Sequence, residues 1–363
     1  MALIRSPTHA PVRPTWLATT SEAAIEPGSP VIDAHHHLYD RPGSRYLLND
    51  FLDDLCSGHN VRATVIVQAR SMLRADAEPT YQSVGETEFA NGVAAMSASG
   101  IYGEARVGAG IVGFADLMQG EDIVRVLEQH ISRAGGTPSE GGRFCGIRQS
   151  LTWDIDASLL NPLYPTSQHM MESCAFRAGF SQLQKLGLSF EGWVFFHQLP
   201  MLAKLARDFP DTPIVLNHCG GIVGIEKYEN YRDEVFEVWR RGILEIAKCR
   251  NVMVKLSGLG MRLGGFRFED QERAPFSTQL ATAWRPWIDV CLSAFGADRC
   301  MYGSNFPVDK GSYSYAIGLN ALKRLTSGAT PGEKSSIFAG SAATFYRLPA
   351  SFVQGRGPEV GEG

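Results

Sequence analysis

Short apolar runs rich in β-branched residues alternate along this chain with longer stretches whose apolar positions recur at helical spacing. Eight runs read as strands, at 30–35, 63–68, 107–114, 144–148, 188–196, 213–218, 252–256 and 300–303. They are nearly continuous in apolar character, the pattern of strands covered on both faces in a parallel sheet. Helical spacing occupies 120–134, 167–186, 200–209, 232–249 and 278–294. A further helix at 330–346 opens on Pro331 and Glu333, a helix-start signature. Eight strands in regular alternation with helices predict an α/β fold of the (β/α)8 barrel type, with a doubly wound open sheet as the competing arrangement. Residues 1–29 are rich in Pro, Thr, Ser and Ala without periodicity and read as an arm, packed outside or partly disordered. The barrel is expected over 30–346, and 347–363 reads as a flexible tail.

The 363 residues are 44% hydrophobic and 20% charged, enough to bury a large core without cross-links. Lys plus Arg (34) minus Asp plus Glu (38) leaves a net charge of −4, with no basic excess to neutralise nucleic-acid phosphates. The expected partner is a small molecule; neither nucleic acid nor membrane is expected, and a homodimer is compatible with the pattern. Seven cysteines, with no CxxC pair, argue against a disulfide framework or zinc finger and for a reducing cytoplasm. No apolar run is long enough to span a bilayer.

The strongest chemical signal is Ile32-Asp33-Ala34-His35-His36-His37 at the end of the first strand. Alternate strand residues share a side, so His35 and His37 converge while His36 faces away. Two convergent imidazoles hold a divalent metal or hydrogen-bond a substrate anion. His218 ends the sixth strand ahead of Cys219-Gly220-Gly221, and His197 ends the fifth; both stand where barrel enzymes place their chemistry. His197 is read either as a pocket residue or as facing a helix. Lys255, alone in an apolar strand, needs an anionic partner, either a substrate or a buried acid.

Five segments, IDAHHHLYD, FCGIR, IVLNHCGG, VMVKLSG and MYGSNFPVD, fall in order at the ends of strands one, four, six, seven and eight. With this set the chain, over 30–346, resembles the amidohydrolase superfamily in its lactonase branch, which includes pyrone-dicarboxylate lactonase, L-fuconolactonase and sulfomuconolactonase. The resemblance implies that His35, His37 and His218 bind a metal, zinc foremost, or bind substrate directly in metal-independent members. It implies that Arg148 grips a carboxylate or carbonyl. From their places on the strands, Lys255, Gln68 and His197 are further candidate substrate contacts. The departure is Asn305, where the family carries an Asp that activates the hydrolytic water; an amide has no basic form near neutral pH. Asp309, four residues on, or Glu88 is a replacement carboxylate, and a metal that acidifies its own water is the third option.

Arg70 is expected near the pocket, whereas Trp193, Phe195, Phe196 and Cys219 are expected in the core. The expected activity is hydrolysis of a lactone or similar cyclic ester. Decarboxylation, amide hydrolysis and a barrel that only binds are the alternatives. Loop-borne specificity leaves the substrate unassigned.

Overall fold

A computed structural model describes residues 9–354. Eight parallel strands form one sheet: β1 (Pro30–His36), β2 (Asn60–Val67), β3 (Arg106–Gly113), β4 (Phe144–Ser150), β5 (Ser189–Trp193), β6 (Ile214–Leu216), β7 (Val252–Leu256) and β8 (Cys300–Tyr302). Each pairs with its sequence neighbours, as right-handed crossovers require. Just beyond β8 the chain bridges back to β1. The Asn305 N–H donates to the His35 carbonyl at 2.7 Å and the His37 N–H to the Phe306 carbonyl at 2.8 Å. The ring is thus closed at its catalytic end. It is a TIM-type barrel.

Among the described residues, eight helices of two turns or more pack outside: α1 (Leu48–Leu55), α2 (Val84–Ala98), α3 (Val124–Arg133), α4 (Cys174–Lys185), α5 (Leu199–Asp208), α6 (Arg232–Ile246), α7 (Ser277–Phe295) and α8 (Tyr315–Leu325). All eight expected strands are present, with ends shifted by up to a few residues. The expected helix at 330–346 is interrupted. Its Thr330–Glu333 capping box starts one turn, a π-helical stretch follows, and Ser341–Tyr346 completes it. That last turn carries Ala342, Ala343 and Tyr346 into the ring, where they pack on Ile32, Val65 and Met301.

Residues 9–29 run along the outside of α7 and α8. Trp16 donates its indole N–H to the Gln271 carbonyl at 2.9 Å, and Lys323 Nζ donates to the carbonyls of Ile25 and Glu26 at 2.8 and 2.9 Å. Glu22 accepts the Ser277 N–H at 2.8 Å, capping α7 where Phe276 has no polar side chain to do so. Glu22→Ala is expected to cost about 1 kcal/mol, the ordinary value of a cap, read from the urea midpoint at unchanged slope. An unmoved midpoint would show the arm to be energetically idle. Residues 1–8 of the arm and 355–363 of the tail lie outside the described residues, and no helix among the described residues is long and apolar enough to cross a membrane.

Candidate active site

The site lies at the C-terminal ends of the strands. His35 and His37 share one side of β1, and their Nε2 atoms approach to 3.2 Å. His36 faces outward, stacks on Phe51 at 4.0 Å and bonds Thr64. β6 ends in four consecutive left-handed residues, from His218 (φ +54°) and Cys219 (φ +51°) to Gly220 and Gly221. A Cβ on Gly221 would lie 1.8 Å from the Val194 carbonyl oxygen, so only glycine lets this turn close. The strained turn aims His218 inward, its ring centroid 4.5 Å from that of His35.

The surrounding groups constrain the protons. The Val67 carbonyl can only accept, so His37 donates from Nδ1 at 2.8 Å and keeps its lone pair on Nε2. Lys255 Nζ lies 3.2 Å from His35 Nδ1 and donates to both oxygens of Glu191 at 2.8 and 2.7 Å. The ammonium at Nδ1 and the Arg148 guanidinium at Nε2 both offer protons to His35, whose neutral ring has one lone pair with which to accept. His218 Nδ1 meets the Ser257 hydroxyl at 2.9 Å. Arg148, paired in register with Glu191, places Nη1 3.2 Å from His35 Nε2 while Nη2 donates to the Gln68 carbonyl at 2.5 Å. Burial first, and the nearby cations second, hold His35, His37 and His218 well below the ordinary imidazole pKa, so all three are neutral at pH 7. Burial also pushes the Lys255 ammonium down to about 8, against the opposing pull of Glu191.

Above this floor opens a cleft of about 730 Å³, into which His37, Arg148, His218 and Asn305 are exposed. Trp193 and Phe195 form one wall, with Trp193 edge-on to His218 at 4.8 Å. Phe195 is at the same time buried in the core, as expected, and Trp193 packs against the core while remaining partly exposed. Phe196 and Cys219 are core. Tyr39, Arg41 and Tyr164 complete the walls, with His9 from the arm.

Several expected placements are corrected. Asp309 lies behind Asn305, not in the cleft: its Oδ1 accepts from Asn305 Nδ2 at 2.7 Å, and its Oδ2 from Tyr313 OH at 2.7 Å and the Gly260 N–H at 3.0 Å. It orients the amide. Glu88 is half-exposed on α2 and paired with Arg74 and Arg133, away from the site. His197 points out of the cleft to Asp154 at 3.1 Å. Gln68 braces Arg148 from below, donating to its carbonyl at 3.3 Å, instead of lining the cleft. Glu191 went unnoticed in sequence, although a lone acid inside an apolar strand marked it.

A match to an amidohydrolase family model spans residues 32–348. The chain is an amidohydrolase. This amidohydrolase is 32% identical over 340 residues to the uncharacterized protein y4mH of Sinorhizobium fredii, covering 88% of this chain and 98% of that one. It is 26% identical to an L-fucono-1,5-lactonase of Burkholderia multivorans, covering 88% and 96%. A solved amidohydrolase of Burkholderia multivorans with bound zinc superposes with a TM-score of 0.67 at 25% identity, covering 88% of this chain and all of the other. The relationship makes this chain a hydrolase enzyme.

Divalent metal therefore occurs in the family, and the donor set here can be tested for it. Among the described residues no group of three or more His, Cys, Asp or Glu side chains is arranged to hold an ion. His35 and His37 converge, but two cations, Arg148 and Lys255, touch the two nitrogens of His35, and the strand-eight position offers an amide. A cation introduced there would meet two fixed positive charges. As arranged, these residues do not fit a divalent ion.

The same burial sets a pH dependence. His36 is pushed down to about 3 and His9, His59 and His130 to about 4, joining His35, His37 and His218 as seven imidazoles neutral in the fold. Below pH 6.5 the unfolded chain protonates all seven and the native state does not, so stability falls on acidification. Glu86 and Asp309, raised to about 7, act oppositely, because the native state holds protons the unfolded chain releases above about 4.5. The imidazoles outnumber these acids, so the net change between pH 6 and 5 is a loss of stability. Urea midpoints at those two pH values check this; equal midpoints contradict it.

Proposed function

We propose that this amidohydrolase opens a lactone or similar cyclic ester of a small carboxylated substrate by water attack. The observation that carries the reading is the convergence of His35, His37 and His218 beside Arg148 at the base of a cleft. The neutral His37 imidazole, with its lone pair on Nε2, takes the proton of an attacking water. The Arg148 guanidinium, on the same cleft, stabilises the oxyanion. The ring oxygen then leaves and recovers that proton, giving a hydroxy acid. The kinship to an L-fucono-1,5-lactonase supports lactone chemistry. Arg41 and Arg148, both on the cleft, favour a substrate bearing a carboxylate.

A second reading, decarboxylation of a carboxylated ring, is favoured by Asn305, which leaves no carboxylate in the cleft at the strand-eight position. Neutral and carboxylated lactones, and carboxylated aromatic acids, separate the two when acid release and carbon dioxide are followed together and the metal content of the protein is measured. Acid release from carboxylated lactones is expected. Carbon dioxide without ring opening overturns the lactonase reading.

Asn305→Asp, the change toward the family residue, is expected to harm this protein. It removes the N–H that Asp309 accepts and sets two carboxyls 2.7 Å apart in a buried place. The cost is about 1–3 kcal/mol at pH 8, shrinking at pH 5 where the pair shares a proton. Thermal melts at the two pH values test it, and an N305D variant as stable as the parent at pH 8 contradicts it.

A further inference from the structure

A second cavity of about 1080 Å³ opens beside the catalytic cleft, and Ser150 and Tyr164 line both. Its distinguishing residue is Arg70. The loop after β2 is fixed from beneath by Glu86, whose carboxylate accepts the N–H groups of Ala69 (2.7 Å), Arg70 (3.2 Å) and Ser71 (3.2 Å). Arg70 and Met72 both take left-handed conformations (φ +58° and +54°), which side-chain-bearing residues adopt at a cost. The result carries the Arg70 guanidinium over the face of Phe114 at 4.1 Å, with the Tyr164 ring 5.9 Å away.

The guanidinium makes no ion pair among the described residues. Of the acids close to it in the chain or the cavity, Glu86 is taken up by the three amides and Glu88 by Arg74 and Arg133, while Asp116, on the cavity wall, accepts the Met118 N–H (3.0 Å) and Gln149 (2.9 Å) on Oδ1 and makes no ion pair with Arg70. A half-buried cation held rigidly over an aromatic ring, with apolar Met118 and Met170 on the same cavity, is a site for an organic carboxylate.

We propose that this side cavity is a binding subsite for a second carboxylate on the ligand. Arg70 is its anchor, and Tyr164 is the partition over which the ligand passes from the catalytic cleft. The substrate would then be an elongated dianion, its reacting end against Arg148 and its far end against Arg70. This extends the reading of the cleft as a site for carboxylated substrates and rests on it only for the near end.

Calorimetric titration with linear α,ω-dicarboxylates of increasing length, from malonate to sebacate, tests the subsite without any turnover. A step of about tenfold or more in affinity is expected at the length that first reaches both arginines. Arg70→Met removes that step while leaving the short diacids unchanged, and Arg70→Lys, which keeps the charge, retains part of it. Arg148→Met weakens every member. Affinity that does not step with length, or a step that persists in the R70M variant, overturns the subsite. A step lost in R70M together with no ring opening of any lactone keeps the subsite and sinks the lactonase reading; ring opening with no step does the reverse.

Discussion

His37→Ala is expected to reduce ring-opening turnover by about 10²–10⁴-fold while leaving a folded protein. The magnitude is that of losing a positioned proton acceptor. Val67 fixes the Nδ1 proton of His37 and so leaves its lone pair on Nε2, on the cleft. Removing His37 deletes the acceptor. His35→Ala is expected to be comparably damaging, because it removes the ring that Arg148, His37 and Lys255 all contact from within the barrel. Steady-state kinetics on the carboxylated lactone, with circular dichroism to certify folding, provide the measurement. A folded H37A variant with turnover near that of the parent ends the account of His37 as proton acceptor.

The floor of this site was legible in sequence for a geometric reason. Alternation along β1 dictates that His35 and His37 share a side and His36 does not, and the structure shows His36 stacked on Phe51 in the outer layer. His218 was legible because it ends an apolar strand, where a barrel opens; Arg148 was legible only through the family resemblance of its segment. The residues that misled are those on loops. His197 and Asp309 follow strands five and eight on short turns, and those turns direct one to Asp154 and the other to the back of Asn305. No period governs such turns. Glu88 was misread for a related reason: its neighbour Glu86 points inward to cap the β2 loop, and two residues along a helix face away from each other. The arm was recognised as lying outside the strand pattern, but nothing in its composition told that His9 reaches the cleft.

Asn305 and Asp309 show why a family motif transfers unevenly. The motif's backbone is kept: Asn305 has φ +56°, a conformation asparagine tolerates well, and its N–H closes the barrel onto His35. What has changed is the destination of the side chain's hydrogen bond. The amide gives its N–H to Asp309, and burial raises that carboxyl to about 7, with Tyr313, Gly260 and Asn305 each pulling the other way. A carboxylate engaged by three donors behind the wall supports the cleft without entering it. That leaves proton transfer to the imidazoles.

Lys255→Met is expected to destabilise the protein by about 3–5 kcal/mol, the cost of stripping one partner from a buried ion pair. Glu191 and Lys255 are both fully inaccessible to solvent, and their contact at 2.7 Å lies inside the barrel. The Glu191 carboxylate also accepts from Tyr346 OH at 2.5 Å, so the pair ties the C-terminal turn that fills the ring to the floor of the site. Without the ammonium, one hydroxyl is left to satisfy a buried carboxylate, and the group must take up a proton or open the barrel to water. The paired variant Lys255→Met with Glu191→Gln removes the stranded charge and is expected to recover most of the loss, since a buried pair contributes little beyond what an apolar replacement would. Its turnover should nonetheless stay low, because His35 loses the ammonium that faces its Nδ1. Urea denaturation of the single and double variants, followed by kinetics on the double, separates the two roles. A double variant as unstable as Lys255→Met alone would show that the pair is not energetically coupled, and one with full turnover would show that turnover does not need the ammonium facing His35.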